Sequence, residues 1–405
     1  MGQLLDLSLL KNNRDYRLLY FGQFISFIGT MITSVALPYQ IYQLTHSTLM
    51  VGLLSLIQLV PLLFTALVGG VFADRYNRRA LLIISESLLA LGCCFLALNS
   101  TQSNPSLLII FIIASLMSAI TGLHSPAFSS ITQQIVTPND YKNVGALTSF
   151  KYSFCMIIGP AAAGIIIAQY GISVTYAIDL FTFLISLINL ALMHTIPKPV
   201  VKEHPSVFSS LKQGVAFAFS RQELIGSYFV DFIAMIFAMP NALLPAIAQY
   251  YGGAKTLGLL YSAPAVGVLI ISFFSGWTAK VTHDGKAIAI SAALWGATII
   301  GFGLSKSLWL ALFFLALSGA FDGISGIFRS SLWNNTIPSE FRGRLAGIEM
   351  ISYLSGPKLG DTRAGLIAAS LGITTALVSG GILCIIGVTV TCCVLPKFWH
   401  YRSKL

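Results

Sequence analysis

Long apolar runs separated by short polar hinges recur along the whole of this 405-residue chain. The runs are continuous rather than alternating, and each is roughly 20 residues long, the length a helix needs to cross a hydrocarbon core of about 30 Å. About twelve can be counted, at roughly 18–42, 50–72, 80–98, 106–128, 144–168, 173–194, 224–248, 256–279, 286–304, 307–329, 345–369 and 373–395. Lipid offers backbone N–H and C=O groups no partner, so runs of this kind must be helical. The pattern predicts an all-α membrane protein with twelve transmembrane helices.

The one sizeable polar interruption runs from Pro197-Lys198-Pro199 to Arg221-Gln222-Glu223. Within it Val207, Leu211, Val215 and Phe219 fall at helical spacing, which predicts an amphipathic helix on the inner membrane surface; an ordinary solvated loop fits the same residues. The predicted organisation is a six-helix bundle over 1–196, a cytoplasmic linker over 197–222 and a second six-helix bundle over 223–405. The bundles read as pseudo-symmetric copies. Gly52-Leu53-Leu54 with Gly70 recurs as Gly258-Leu259-Leu260 with Gly276, Thr137-Pro138-Asn139-Asp140 as Ile337-Pro338-Ser339-Glu340, and Gly159-Pro160 as Gly356-Pro357. Paired repeats of this sort mark transporters whose halves move about a site near the bilayer midplane.

Composition agrees with a lipid solvent. Only 9% of residues are charged and 56% are hydrophobic, against about a quarter charged in soluble domains, and the mean hydropathy is +0.81. The net charge of +10 would suit nucleic acid, but its distribution argues otherwise. With the N-terminus inside, inner segments hold Lys11, Arg14, Arg17, Arg75, Arg78, Arg79, Lys142, Arg342, Arg344, Lys397 and others, while outer loops hold only Lys255 and Lys306. That asymmetry predicts both termini in the cytoplasm and no nucleic-acid partner. The six cysteines lie inside predicted spans, as apolar filler rather than a disulfide or metal framework. No metal site is expected.

The most informative hinge is Gly69-Gly70-Val71-Phe72-Ala73-Asp74-Arg75-Tyr76-Asn77-Arg78-Arg79. Its glycines permit close helix approach, Asp74 can accept from the positive end of a helix, and Arg75, Arg78 and Arg79 can meet acids or lipid phosphates; Gly70, Asp74, Arg75, Arg78 and Arg79 form a candidate gate. Charges within spans are costly and default to functional candidates. Asp231 and Asp322, near mid-membrane, are candidate proton carriers, and a structural salt bridge, for example to Lys151, fits them equally. Lys151 and Lys358 would make a cavity attractive to an anionic substrate, unless Lys358 pairs with Asp361 one turn away, itself a third proton-coupling candidate. Arg363 is expected to snorkel outward and Glu86, Glu349 and Arg329 to anchor the inner face; Asp179 and His124 are ambiguous, a lone intramembrane histidine being more often a packed hydrogen-bonding group than a proton carrier. Gly159, Pro160, Gly164, Gly356 and Pro357 mark bends or close packing in two equivalent helices.

Together these residues resemble the major facilitator superfamily over essentially the whole chain. Gly70 to Arg79 is similar to the family's G-x-x-x-D-R-x-G-R-R/K signature, with Asn77 where glycine is usual. Cys155-x-x-x-Gly159-Pro160-x-x-Ala163-Gly164 resembles the antiporter motif, with Cys155 and Ala163 replacing two glycines. Leu44 to Leu53, Glu203-His204-Pro205, Gly343-Arg344-Leu345-Ala346-Gly347 and Leu359-Gly360-Asp361 resemble the enterobactin (siderophore) exporter branch. The resemblance implies proton-driven export of an anionic small molecule across a bacterial inner membrane by alternating access, with no bound cofactor, from a monomer. Macrolide and multidrug efflux carriers share much of the pattern. The helix-4 arginine common in proton antiporters is absent, with Ala119-Ile120-Thr121-Gly122 in its place, and Lys280 occupies the second-half slot of Asp74. No H-E-x-x-H, G-x-S-x-G or phosphate-binding glycine loop is present, which argues against an intramembrane enzyme and against ATP-driven pumping. A channel or a transporter-derived sensor would share the topology; exchange driven by a substrate counter-gradient separates carrier from channel.

Overall fold

The structure, a computed structural model, describes residues 6–194, 213 and 215–403, without the side chains at 70, 71, 73–75, 339, 340, 342–344 and 346–348. Its long helices are α1 (Arg14–Thr45), α2 (Thr48–Arg75), α3 (Arg78–Ser100), α4 (Leu107–Ile135), α5 (Tyr141–Leu192), α6 (Gln222–Ala238), α7 (Leu244–Tyr251), α8 (Ala254–Phe273), α9 (Asp284–Gly303), α10 (Leu308–Thr336), α11 (Ser339–Leu371) and α12 (Ile373–Val394). Short helices Ser8–Asn12 and Pro396–Trp399 flank them, and the described residues contain no β-strand. The protein is all-α, as the continuous apolar runs require. Most of the amphipathic linker, including Val207 and Leu211, lies outside the described residues; 215–219 is helical, with Val215 and Phe219 exposed.

Ten helical stretches among the described residues are long and apolar enough to cross a bilayer. Two features separate this count from the expected twelve. One stretch, Pro138–Leu192, spans 55 residues, and α5 within it would run about 78 Å as a single rod. Gly171 breaks it at φ 83, ψ 175, a conformation open to glycine and strained for other residues. Two predicted runs therefore meet end to end at that hinge. The other feature is α11, whose 33 residues are long enough to span but carry Lys358, Asp361 and Arg363 in their second half. The run predicted over 224–248 is itself broken: Met239 is extended ahead of Pro240, and a short 3-10 turn, Asn241–Leu243, leads into α7.

The chain divides into two compact units, Met1–Leu44 with Ile57–Glu203, and Thr45–Leu56 with His204–Leu405. In the first, α3 packs on α4 and α5, and Leu19, Leu82, Ala127, Ile131, Leu190 and Met193 form a buried cluster. In the second, α10 packs on α8 and α9, and α12 on α9 and α6. Glycines set equivalent close approaches in each. A Cβ on Gly122 of α4 would strike Leu62 and Ala66 of α2, while one on Gly319 of α10 would strike Pro264 of α8. Likewise Gly159 of α5 faces Met31 of α1, and Gly356 of α11 faces Met235 of α6. The same helix pairs are thus brought together by the same device in both units.

Candidate functional site

The hinge after α2 is built around Asn77. Its side-chain oxygen accepts from the N–H groups of Arg79 and Ala80, capping α3. The departure from glycine at this position supplies a helix cap. Arg78 donates to Ser130 O at 3.2 Å near the end of α4, and Arg79 donates to Leu190 O and Ala191 O at 2.8 and 2.7 Å at the end of α5. Arg14 adds a bond to Leu192 O at 3.2 Å. The three at the end of α5 are among the carbonyls a helix C-terminus leaves open, and cations are favourable there. So Arg78 and Arg79 engage backbone carbonyls at the ends of neighbouring helices. Gly70, Asp74 and Arg75 lie outside the described side chains. Gly69, beside them, approaches Gly122 O so closely that a Cβ would have no room.

Asp231 of α6 and Asp322 of α10 converge on a single cation, Arg329, two turns beyond Asp322 on α10. Arg329 Nη1 pairs with Asp231 Oδ1, and Nη2 lies 3.6 Å from Asp322 Oδ1. The partner of both acids is therefore Arg329 in place of Lys151, and Arg329 is an internal counter-ion, not an inner-face anchor. The acids differ: the Asp231 side chain is 11% exposed and that of Asp322 is 40% exposed. One arginine cannot fully neutralise two carboxylates, so Asp322, farther away and more open, is the better placed to exchange a proton.

Asp361 of α11 is held differently. Its Oδ1 accepts from the Ala242 N–H at 3.0 Å and its Oδ2 from Ser55 Oγ at 3.3 Å. Ala242 lies in the turn after Pro240, so the break between α6 and α7 supplies the donor. Thr362 Oγ1 bonds Gly52 O at 3.1 Å, and Thr48 Oγ1 bonds Gly365 O at 3.2 Å, tying the first turns of α2 to α11. Lys358 stands one turn before Asp361 on the same helix. Arg363 does not snorkel: it donates to Phe237 O and Ala376 O, bracing α11 against α6 and α12.

In the first unit Lys151 is 8% exposed, with Nζ 4.7 Å from the Phe128 ring centroid and 6.0 Å from that of Phe27. Tyr152 stacks on Phe27. Aromatic faces stabilise the buried ammonium without cancelling its charge, which leaves it available to an anion. Asp179 accepts from Thr33 Oγ1, from Cys93 Sγ at 3.2 Å and from Thr182 Oγ1 at 3.1 Å. Cys93 is thus a hydrogen-bond donor as well as filler. All six cysteines are free. Glu86, expected near the inner face, is fully buried, which helical depth alone does not reveal because it gives no facing direction.

The family model described as transmembrane secretion effector matches residues 8–402. The chain is 29% identical over 387 residues to the enterobactin exporter EntS of Citrobacter koseri, covering 95% of this chain and 92% of that protein. Against the enterobactin exporter EntS of Escherichia coli it is 29% identical over 404 residues, covering 99% and 96%. Among solved structures it resembles the nucleoside transporter NupG, with TM-score 0.75 at 12% identity over 94% of this chain and 99% of that one. It also resembles a bacterial homologue of the human lysosomal transporter Spinster, with TM-score 0.74 at 15% identity over 97% and 99%. Fold, near-complete family coverage and the charged spans agree: this chain belongs to the transmembrane secretion effector family of major facilitator transporters.

Proposed function

We propose that this transporter exports an anionic, siderophore-like small molecule from cytoplasm to periplasm, driven by protons and working by alternating access in a bacterial inner membrane. The observation that carries the reading is the end-to-end similarity to enterobactin exporters, which leaves neither protein with a large unmatched region. Lys151 between Phe27 and Phe128 suits an anion carrying aromatic groups, and Lys358 adds a second positive site. Asp322, sharing Arg329 with Asp231, is the coupling acid in the second unit; Asp361 is a further candidate. The gate is the hinge from Gly70 to Arg79. The protein acts as a monomer of twelve crossings with both termini cytoplasmic, needing no cofactor beyond the proton gradient and no nucleic acid.

Comparing iron-starved culture supernatants with and without the gene tests substrate and direction together. The expected result is loss of an iron chelator from the medium with its retention in cells. An unchanged chelator in both compartments would overturn the siderophore reading, and a simultaneous rise in macrolide susceptibility would assign the carrier to drug efflux.

A further inference from the structure

Glu86 of α3 has a fully buried side chain. Gln23 Nε2 on α1 donates to its Oε1, His124 Nε2 on α4 lies 3.4 Å from the same oxygen, and Oε2 accepts no hydrogen bond among the described residues. An ionised carboxylate offers about four acceptor sites, and burying one with most of them unfilled is unfavourable. Asp179, two turns along the same interface, makes the contrast: Thr33 and Cys93 donate to its Oδ2, and Thr182 Oγ1 lies 3.1 Å from its Oδ1. Of the two side chains at its Oε1, only the His124 imidazole can carry a proton to it.

The surroundings supply a route for that proton. From α1 Glu86 is faced by the neutral Gln23, which also reaches Ser186 of α5 at 3.3 Å. From α4 it is faced by His124. Cys93 and Asp179 lie two turns away, and Lys151 sits beyond the Phe128 ring, which stacks on His124 at 6.4 Å with planes 5° apart. His124 is 17% exposed. Thr121, Ser125 and Ser129 on the same helix are exposed, each donating to a carbonyl of its own helix. His124, partly exposed, therefore stands between the enclosed carboxyl and the surface of α4.

We propose that Glu86 and His124 form a second proton-binding pair, in the first unit, distinct from the acids on Arg329. A proton from water adds to His124 Nδ1, the Nε2–H proton passes to Glu86 Oε1, and the ring returns to neutral in its other tautomer. Release reverses these steps. The role in transport rests on the proton coupling proposed above; the protonation does not.

Difference infrared spectroscopy on the purified full-length protein, titrated without substrate, reads the carboxylic-acid C=O stretch directly. Wild type is expected to show a buried-acid band that Glu86→Gln loses, that Glu86→Asp retains at a new midpoint, and that His124→Gln retains with its midpoint moved by about one pH unit or more. A Glu86→Gln spectrum with the band and midpoint of wild type would overturn the proposal, even with a lowered melting temperature. If Glu86→Gln does not fold, His124→Gln decides, and an unmoved midpoint there overturns the pair. Failure of the siderophore reading would leave these spectra as they are.

Discussion

Two acids that share one arginine have unequal fates on mutation. Asp231 and Arg329 are both mostly enclosed, so removing either leaves a buried charge without its partner, a loss of roughly 3–5 kcal/mol in comparable pairs. Arg329→Gln and Asp231→Asn should each lower the melting temperature in detergent, and the double variant should recover part of the loss, since only the more open Asp322 is then left without its cation. Additive losses in that cycle would remove the pair as a structural unit. Asp322→Asn should leave the melting temperature nearly unchanged and flatten the pH dependence of efflux; an unaltered pH profile would exclude Asp322 as a proton site. Asp231, Asp322 and Lys151 were legible in the sequence because a charge in an apolar run has few innocent explanations. Position along a helix gives the depth of Arg329 and Glu86 but not the side they face. Which side a residue faces depends on the neighbours packed there, and a single sequence does not carry that.

Helix contacts are governed by what a glycine faces. A Cβ on Gly319 would meet three backbone atoms of Pro264, none of which can withdraw, whereas one on Gly159 would meet chiefly the single Cβ of Met31. Both Gly→Ala changes overpack a core, a class that costs typically 1–3 kcal/mol, but Gly319→Ala should be the more damaging by melting temperature. Gly29→Ala should also be harmful, because its methyl would collide with Asp179 Oδ1 and Thr182 Oγ1. Gly145, with nothing within 4 Å of a Cβ, is the control: alanine there should be neutral or stabilising, by up to about 1 kcal/mol. Equal losses at Gly319 and Gly145 would show that these approaches do not hold the helices. The Gly-Pro pairs of α5 and α11 were visible as a repeat. Their contacts with Met31 and Met235 were not, since the methionines carry no pattern of their own. Asn77 departs from the motif's glycine, and a cap of this kind at the start of a helix is a readable signal.

For the molecule as a whole, the number and direction of crossings decide whether the charge asymmetry means what it predicts. Apolar length could place helices in the membrane but could not separate one long rod from two short ones, because the break at Gly171 rests on one backbone angle. If α5 crosses twice, Thr137 before it and His194 after it lie on the same side, with Tyr170 opposite. If α11 and α12 each cross once, Pro338 and Lys397 share a side, with Leu371 opposite. All six positions are exposed; Thr137, His194 and Pro338 flank helices, and Lys397 lies in the short helix Pro396–Trp399. Single cysteines there can be read with a membrane-impermeant maleimide, since Cys93, Cys155 and Cys384 are buried, and the remaining native cysteines can be replaced by serine. Intact cells should label Tyr170→Cys and Leu371→Cys, whereas Thr137→Cys, His194→Cys, Pro338→Cys and Lys397→Cys should label only after the membrane is opened. Thr137 and His194 on opposite sides would reduce α5 to one crossing. The lysine and arginine count would then point inward for only part of the chain, and the positive-inside argument for both termini would fail with it.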